Sequence, residues 1–155
     1  MKSPDFIEND DELKRLREKN RKWEENFNKV IQIYELAKQK EKTEPLTAIE
    51  IYQSIRDTNY GNFDVLGRLI ILYRKTKQTS EELKHVEFKI EYLHNLEYNR
   101  MQFLSLKYPK DADLIRSCYD NELIYVTPEG YDIDFYKEIR KLVLRKDELL
   151  KNISR

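Results

Sequence analysis

Histidine and cysteine, the residues best suited to metal binding and nucleophilic catalysis, are scarce in this sequence of 155 residues. Its two histidines, His85 and His94, lie nine positions apart, whereas paired zinc ligands on a helix lie about one turn apart. We therefore expect His85 at the surface and His94 at the edge of the core, without a metal role. Cys118 has no adjacent histidine or other activating group, which predicts a buried, unreactive thiol.

Carboxylates occur in two Asp-x-Asp patterns that could hold Mg²⁺ beside a phosphate, at Asp111 and Asp113 and at Asp132 and Asp134. The pattern is common, and helix capping and turn formation explain it here. With only three glycines, the chain has no phosphate-cradling loop. We therefore predict no catalytic residue, no cofactor and no metal site, and a protein that is not an enzyme.

Positive charge could instead serve nucleic-acid binding, which needs basic residues beside aromatic ones. The C-terminal segment carries Arg140, Lys141, Arg145 and Lys146, and the chain contains 11 tyrosines. The charges balance, however, at 29 basic and 29 acidic residues, and these four alternate with an apolar stripe. A solvated helix face is the favoured interpretation, and a nucleic-acid-associated regulator that uses this face is the alternative.

The composition favours an all-α fold, because 3 glycines and 4 prolines are few for a protein rich in tight turns. The length suits one domain over residues 1–155, with a flexible segment at 1–9, a helical-hairpin core at 10–107 and a helical cap at 110–155. No apolar run suggests a signal peptide or membrane span, so we expect a cytoplasmic protein without membrane contact.

The first helix should begin near Asp10 or Asp11 and carry a heptad-like apolar seam over residues 13–37. Its members are Leu13, Leu16, Asn20, Trp23, Phe27, Val30, Tyr34 and Ala37. The bulky aromatics favour packing of this seam against the chain's own helices. The alternative is a homodimer through residues 13–37, in which Asn20 would fix the register of a parallel pair.

Five further helices follow from apolar spacing and end signals. They should begin near Pro45, Asn62, Thr79 or Ser80, Asp111 and Asp134, and the fourth helix should end at Lys107 before Tyr108-Pro109. In that fourth helix we expect an inner stripe of Leu83, Val86, Ile90 and Leu93, continued by Leu96, Met101, Phe103 and Leu104. The segment 122–133 contains a Pro-Glu-Gly turn and suits either a small hairpin or an ordered loop.

Residues 46–90 resemble a tetratricopeptide repeat flanked by half of another, with Ala48 and Tyr73 as the best matches to the family pattern. The sequence departs from that pattern at Ile70, Lys77 and Glu82, where small residues or a turn glycine are usual. The resemblance implies antiparallel helical hairpins stacked as a short right-handed array, with the long N-terminal and C-terminal helices as caps.

Stacked helical hairpins expose a concave groove that suits a peptide or a partner helix. The groove-facing candidates lie on the third helix: Asp64, Gly67, Ile71, Arg74 and Lys75. We therefore predict a non-enzymatic protein-interaction module, an adaptor or regulator, that acts through a groove or an exposed apolar helix face.

Overall fold

The computed structural model describes residues 4–57 and 64–154, with side chains from residue 10 onward. Within these ranges the chain is mostly helical, which confirms the all-α class; the tetratricopeptide-like stacking and the single domain over 1–155 stay predictions. The elements are α1 (Pro4–Lys40), α2 (Pro45–Ser54), α3 (Val65–Lys75), α4 (Thr79–Lys107), α5 (Ala112–Asp120), β1 (Tyr125–Val126), β2 (Asp132–Ile133) and α6 (Lys137–Ile153). They form two compact units, Met1–Leu72 and Tyr73–Arg155.

In the first unit, α1 packs against α2. The two small residues Ala37 and Ala48 are fully buried, and small side chains allow two helices to approach closely. Tyr52 on α2 is also fully buried, and its ring meets that of Tyr34 edge to face, with centroids 5.7 Å apart. Pro45 occupies the first position of α2, as predicted, because its missing N–H costs nothing there.

The N-terminal half of α1 differs from the sequence-based expectation. The helix begins at Pro4 rather than near Asp10, so residues 4–9 are helical and not a flexible segment. Every residue from 10 to 26 is exposed. The expectation that the chain's own helices cover the seam is therefore right for Val30 and Ala37 and wrong for its first members, since Trp23 is 54% exposed.

α3 begins at Val65, three residues after the predicted start at Asn62, which lies outside the described residues. Its C-terminal turn closes with two backbone hydrogen bonds. The Gln78 N–H donates to the Tyr73 carbonyl at 2.8 Å, and the Lys77 N–H donates to the Arg74 carbonyl at 3.1 Å. This is the Schellman arrangement, and Lys77 supplies its left-handed residue with φ of 58°. A lysine therefore adopts the conformation that favours glycine in such turns.

In the second unit, α4 packs against α5 and α6. One cluster of buried side chains joins α4, α5, β1 and the segment before α6: Met101, Leu104, Ile115, Cys118, Tyr125 and Phe135. The bounds of α4 match the prediction: two acidic residues, Glu81 and Glu82, lie in its first turn, and Tyr108-Pro109 follows its end.

The segment 122–133 is a small hairpin, which decides between the two interpretations of its sequence. Tyr125 pairs with Ile133 and Val126 with Asp132 in antiparallel register. The Gly130 N–H donates to the Thr127 carbonyl at 2.9 Å, and Gly130 has φ of 89°, a conformation that an L side chain rarely adopts. Glycine is therefore strongly favoured at this turn.

Candidate partner-binding surface

The outer face of α4 carries a row of large apolar side chains that are open to solvent. Their exposed fractions are 36% for Phe88, 42% for Tyr92, 46% for Leu96, 64% for Phe103 and 82% for Leu106. Steps of three, four and seven residues place all five on one side of an α-helix. The sequence-based assignment of Leu96 and Phe103 to the inner stripe is therefore wrong. We call this row the α4 outer face.

The opposite side of α4 anchors the helix. Val86, Met101 and Leu104 are at most 8% exposed, and the latter two belong to the core cluster of the second unit. Because the inner face is fixed over about five turns, the α4 outer face is presented on a rigid element rather than on a loop. Such pre-organisation lowers the entropic cost of binding.

Basic residues lie along one edge of the α4 outer face. Helical spacing places Lys89, Arg100 and Lys107 on this edge. Arg100 Nη1 lies 3.1 Å from Glu97 Oε2, and burial raises the pKa of Glu97 although Arg100 opposes the rise. The charge of Arg100 is therefore offset by Glu97 on the chain itself.

The predicted groove residues at the start of α3 have a structural task. Asp64 Oδ1 accepts a hydrogen bond from the Gly67 N–H at 2.9 Å, which satisfies one of the free amide groups at the helix start. A Cβ atom at Gly67 would lie 2.6 Å from Asp64 Cγ, so the carboxylate occupies the space that a side chain would need. Asp64 is exposed and Gly67 is buried.

The other three candidates lie further along α3. Ile71 is 56% exposed, and Arg74 and Lys75 are exposed as well. Arg74 Nε donates to Glu82 Oε1 at 2.9 Å, so its guanidinium is already engaged by the chain. Nothing in the structure tests whether these five residues bind a partner, and this role stays a prediction.

A buried carboxylate joins three elements of the second unit. Glu82 on α4 is 2% exposed and accepts hydrogen bonds from Arg145 on α6 at 2.8 and 3.1 Å, in addition to that from Arg74. The hydrogen bonds to Glu82 raise the pKa of Arg145. The sequence shows Glu82 only as a departure from the repeat pattern. Its ion pair could not be predicted, because Arg145 lies 63 residues away along the chain.

The four basic residues of α6 that could have met phosphates, Arg140, Lys141, Arg145 and Lys146, each lie beside a carboxylate. Besides Arg145, Arg140 pairs with Asp134, Lys141 Nζ lies 3.5 Å from Glu138 Oε1, and Lys146 Nζ lies 3.6 Å from Glu87 Oε1. Neutralised charges of this kind attract phosphates weakly. The arrangement therefore does not favour the nucleic-acid alternative, which no observation tests directly.

The histidines differ from the prediction, whereas the predicted burial of the thiol is confirmed. His85 is 1% exposed, not at the surface: its Nδ1 lies 2.8 Å from the Glu81 carbonyl oxygen and its ring packs against Tyr73 and Phe88. His94 is exposed rather than at the core edge. Cys118 is buried, with Sγ 3.7 Å from the Ile124 carbonyl oxygen.

The Asp-x-Asp carboxylates serve local structure. Asp111 Oδ2 accepts from the Tyr125 hydroxyl at 2.7 Å, and burial raises the pKa of Tyr125 to about 12. Asp134 Oδ1 accepts from the Tyr136 N–H at 3.0 Å, which delays the start of α6 to Lys137. No group of three or more potential metal ligands occurs among the residues that the structure describes.

A partly buried polar cluster links the end of α1 to α2 and α3 within the first unit. Glu41 accepts a hydrogen bond from the Tyr52 hydroxyl at 2.7 Å and one from Arg68 Nε at 2.8 Å. Burial opposes the ionisation of Glu41, but the hydrogen bonds from Arg68 and Tyr52 outweigh it and lower its pKa. Burial, with the hydrogen bond to Glu41, raises the pKa of Tyr52.

No family model, curated protein or solved structure matches the chain. Over the residues described, no helix is both long enough and apolar enough to cross a membrane.

Proposed function

We propose that this chain is a non-enzymatic protein-interaction module, an adaptor or regulator, that binds an amphipathic peptide or partner helix along the α4 outer face. The observation that supports the proposal is the exposure of five large apolar side chains in one row on a helix whose other side is anchored in the core. Rows of this kind mark interaction surfaces in soluble proteins. An amphipathic helix can cover such a row with residues at matching steps.

The binding free energy would come mainly from the two most exposed members of the row. Full burial of a leucine or phenylalanine side chain yields about 1.5–3 kcal/mol, so Phe103 and Leu106 suit the role of anchors. Lys107 would orient a partner that carries acidic residues along the adjoining edge. Such rim charges contribute more to specificity and association rate than to affinity.

The row can be tested with a matched pair of leucine variants. Leu106 and Leu144 are 82% and 66% exposed and lie on different helices, α4 and α6. We expect Leu106→Asp to abolish the recovery of a stoichiometric protein partner from cell extract, and Leu144→Asp to preserve it. Circular dichroism would establish that both variants fold. Recovery of the same partner by wild type and Leu106→Asp would contradict the proposal.

A further inference from the structure

The exposed half of α1 has a composition that a solitary helix in water does not explain. Residues 10–26 are all exposed, yet Leu13, Leu16 and Trp23 are among them at 49%, 55% and 54%. Trp23 stacks on Phe27 with ring centroids 5.1 Å apart, so the apolar seam continues into the packed half of the helix. Helices draw most of their stability from burying such a face.

The spacing of these residues is that of a two-stranded coiled coil. Leu13, Asn20 and Phe27 fall at position a, and Leu16, Trp23 and Val30 at position d, without a break in the heptad. Asn20 lies in the middle of the seam. An asparagine at position a faces its own copy in a parallel, in-register pair and selects two strands at a cost in stability.

The charges beside the seam complement those of an identical helix. Position g holds Glu12 and Lys19, and position e holds Arg17 and Glu24. In a parallel pair each g residue faces the e residue of the next heptad on the partner, which joins Glu12 to Arg17 and Lys19 to Glu24. Both contacts are attractive, and two-fold symmetry makes each occur twice.

Among the residues whose side chains the structure describes, the intrahelical ion pairs of the exposed half of α1 lie away from the seam. Arg21 Nη1 lies 2.8 Å from Glu25 Oε1 and its Nη2 lies 2.6 Å from Glu18 Oε1. These three residues occupy positions b and f, away from the seam. The side chains at e and g are therefore placed for contacts between helices.

We propose that α1 pairs with α1 of a second copy of this chain in a parallel, in-register coiled coil through residues 12–27. The pairing ends near Val30, which is 7% exposed and is covered by its own chain. This interface is on α1 and does not depend on the proposed function of the α4 outer face. The dimer proposal and the proposed function are therefore tested by different experiments.

Sedimentation equilibrium of the full chain tests the pairing. We expect a reversible monomer–dimer equilibrium, with Leu16→Lys raising the dissociation constant on the order of 100-fold because it places two charges at one seam layer. Gln32→Lys is the matched control, since Gln32 is exposed at position f, and it should leave the constant unchanged. A wild-type chain that stays monomeric at several hundred micromolar would overturn the proposal.

A charge exchange tests orientation and register. Lys19→Glu should weaken the dimer about tenfold because the new carboxylate faces that of Glu24, and Lys19→Glu combined with Glu24→Lys should restore it. In an antiparallel pair with Asn20 opposite Trp23, position 19 faces Asn26 and position 24 faces Arg17. The double variant would then place a lysine at position 24 opposite Arg17, and the dimer would be weak. Restoration supports the parallel pair, and its absence contradicts it.

Discussion

Arg145 and Glu82 form a two-pronged ion pair between α6 and α4, with Nε–Oε1 and Nη2–Oε2 distances of 2.8 and 3.1 Å. The carboxylate is 2% exposed, whereas the side chain of Arg145 is 25% exposed. A carboxylate removed from water needs partners for both oxygens. The pair therefore fixes α6 against α4, which is a structural role.

Arg145→Met should destabilise the folded chain by about 2–4 kcal/mol, because it keeps the apolar stem but leaves buried Glu82 with Arg74 alone. Urea denaturation followed by circular dichroism would measure the loss. Arg140→Met is the control, since its surface pair with Asp134 is worth about 1 kcal/mol or less. Arg145→Met combined with Glu82→Leu should recover much of the loss. A free energy of unfolding for Arg145→Met within about 0.5 kcal/mol of wild type would refute the structural role.

Lys77→Gly should stabilise the chain. Lys77 has φ of 58°, a conformation that costs a residue with a Cβ about 1–2 kcal/mol, whereas glycine adopts it without that penalty. Part of the gain is offset by the greater freedom of glycine in the unfolded state, which leaves about 0.5–1 kcal/mol. Thermal melting would show a higher midpoint. Lys75→Gly, within the last turn of α3, should lower the midpoint and serves as the control.

The effect of Gly67→Ala should depend on Asp64. In wild type the added Cβ displaces the capping carboxylate, and the lost cap of about 1 kcal/mol cancels or exceeds the gain in helix propensity. In an Asp64→Ala background no cap remains to be lost, so Gly67→Ala should stabilise by up to about 1 kcal/mol. A double-mutant cycle on unfolding free energies measures this coupling. Additive effects of the two substitutions would show that the residues are independent.

Glu41→Gln should destabilise the chain by about 1–3 kcal/mol at neutral pH, because Arg68 and Tyr52 lose a charged acceptor. The pKa of Glu41 is lowered from its ordinary value of 4.5, so its stabilisation is complete above that value and is lost as pH falls through the lower, native pKa. The stability difference between wild type and Glu41→Gln should therefore shrink below pH 4.5. Exposed Glu35→Gln should show no such convergence, and a constant difference at every pH would contradict the assignment.

Local signals in the sequence predicted the elements they control. The bounds of α4, the start of α2 at Pro45 and the turn at Gly130 follow from acidic first-turn residues, proline and glycine, whose effects extend over a few residues. The late start of α6 did not follow, because Asp134 binds the Tyr136 N–H and ends the hairpin before the helix begins.

Burial of polar residues could not be predicted in the same way. Glu82 lies one turn before Val86 on the buried side of α4, and this shared side could have revealed its burial, whereas His85 lies one turn before Phe88, in line with the α4 outer face. Their burial depends on Arg145 and on the ring of Tyr73, whose positions follow from tertiary packing. The α4 outer face was missed for a related reason: apolar spacing alone does not tell which of two apolar sides of a helix is covered.

Trp23 is the chain's single tryptophan, and it lies in the exposed half of α1 beside Phe27. Its fluorescence therefore reports on that part of α1 and does not report on the core around Phe135. Circular dichroism, by contrast, sums over every helix. A titration with denaturant that records both signals from one sample would separate the melting of this segment from the melting of the rest, without any added label.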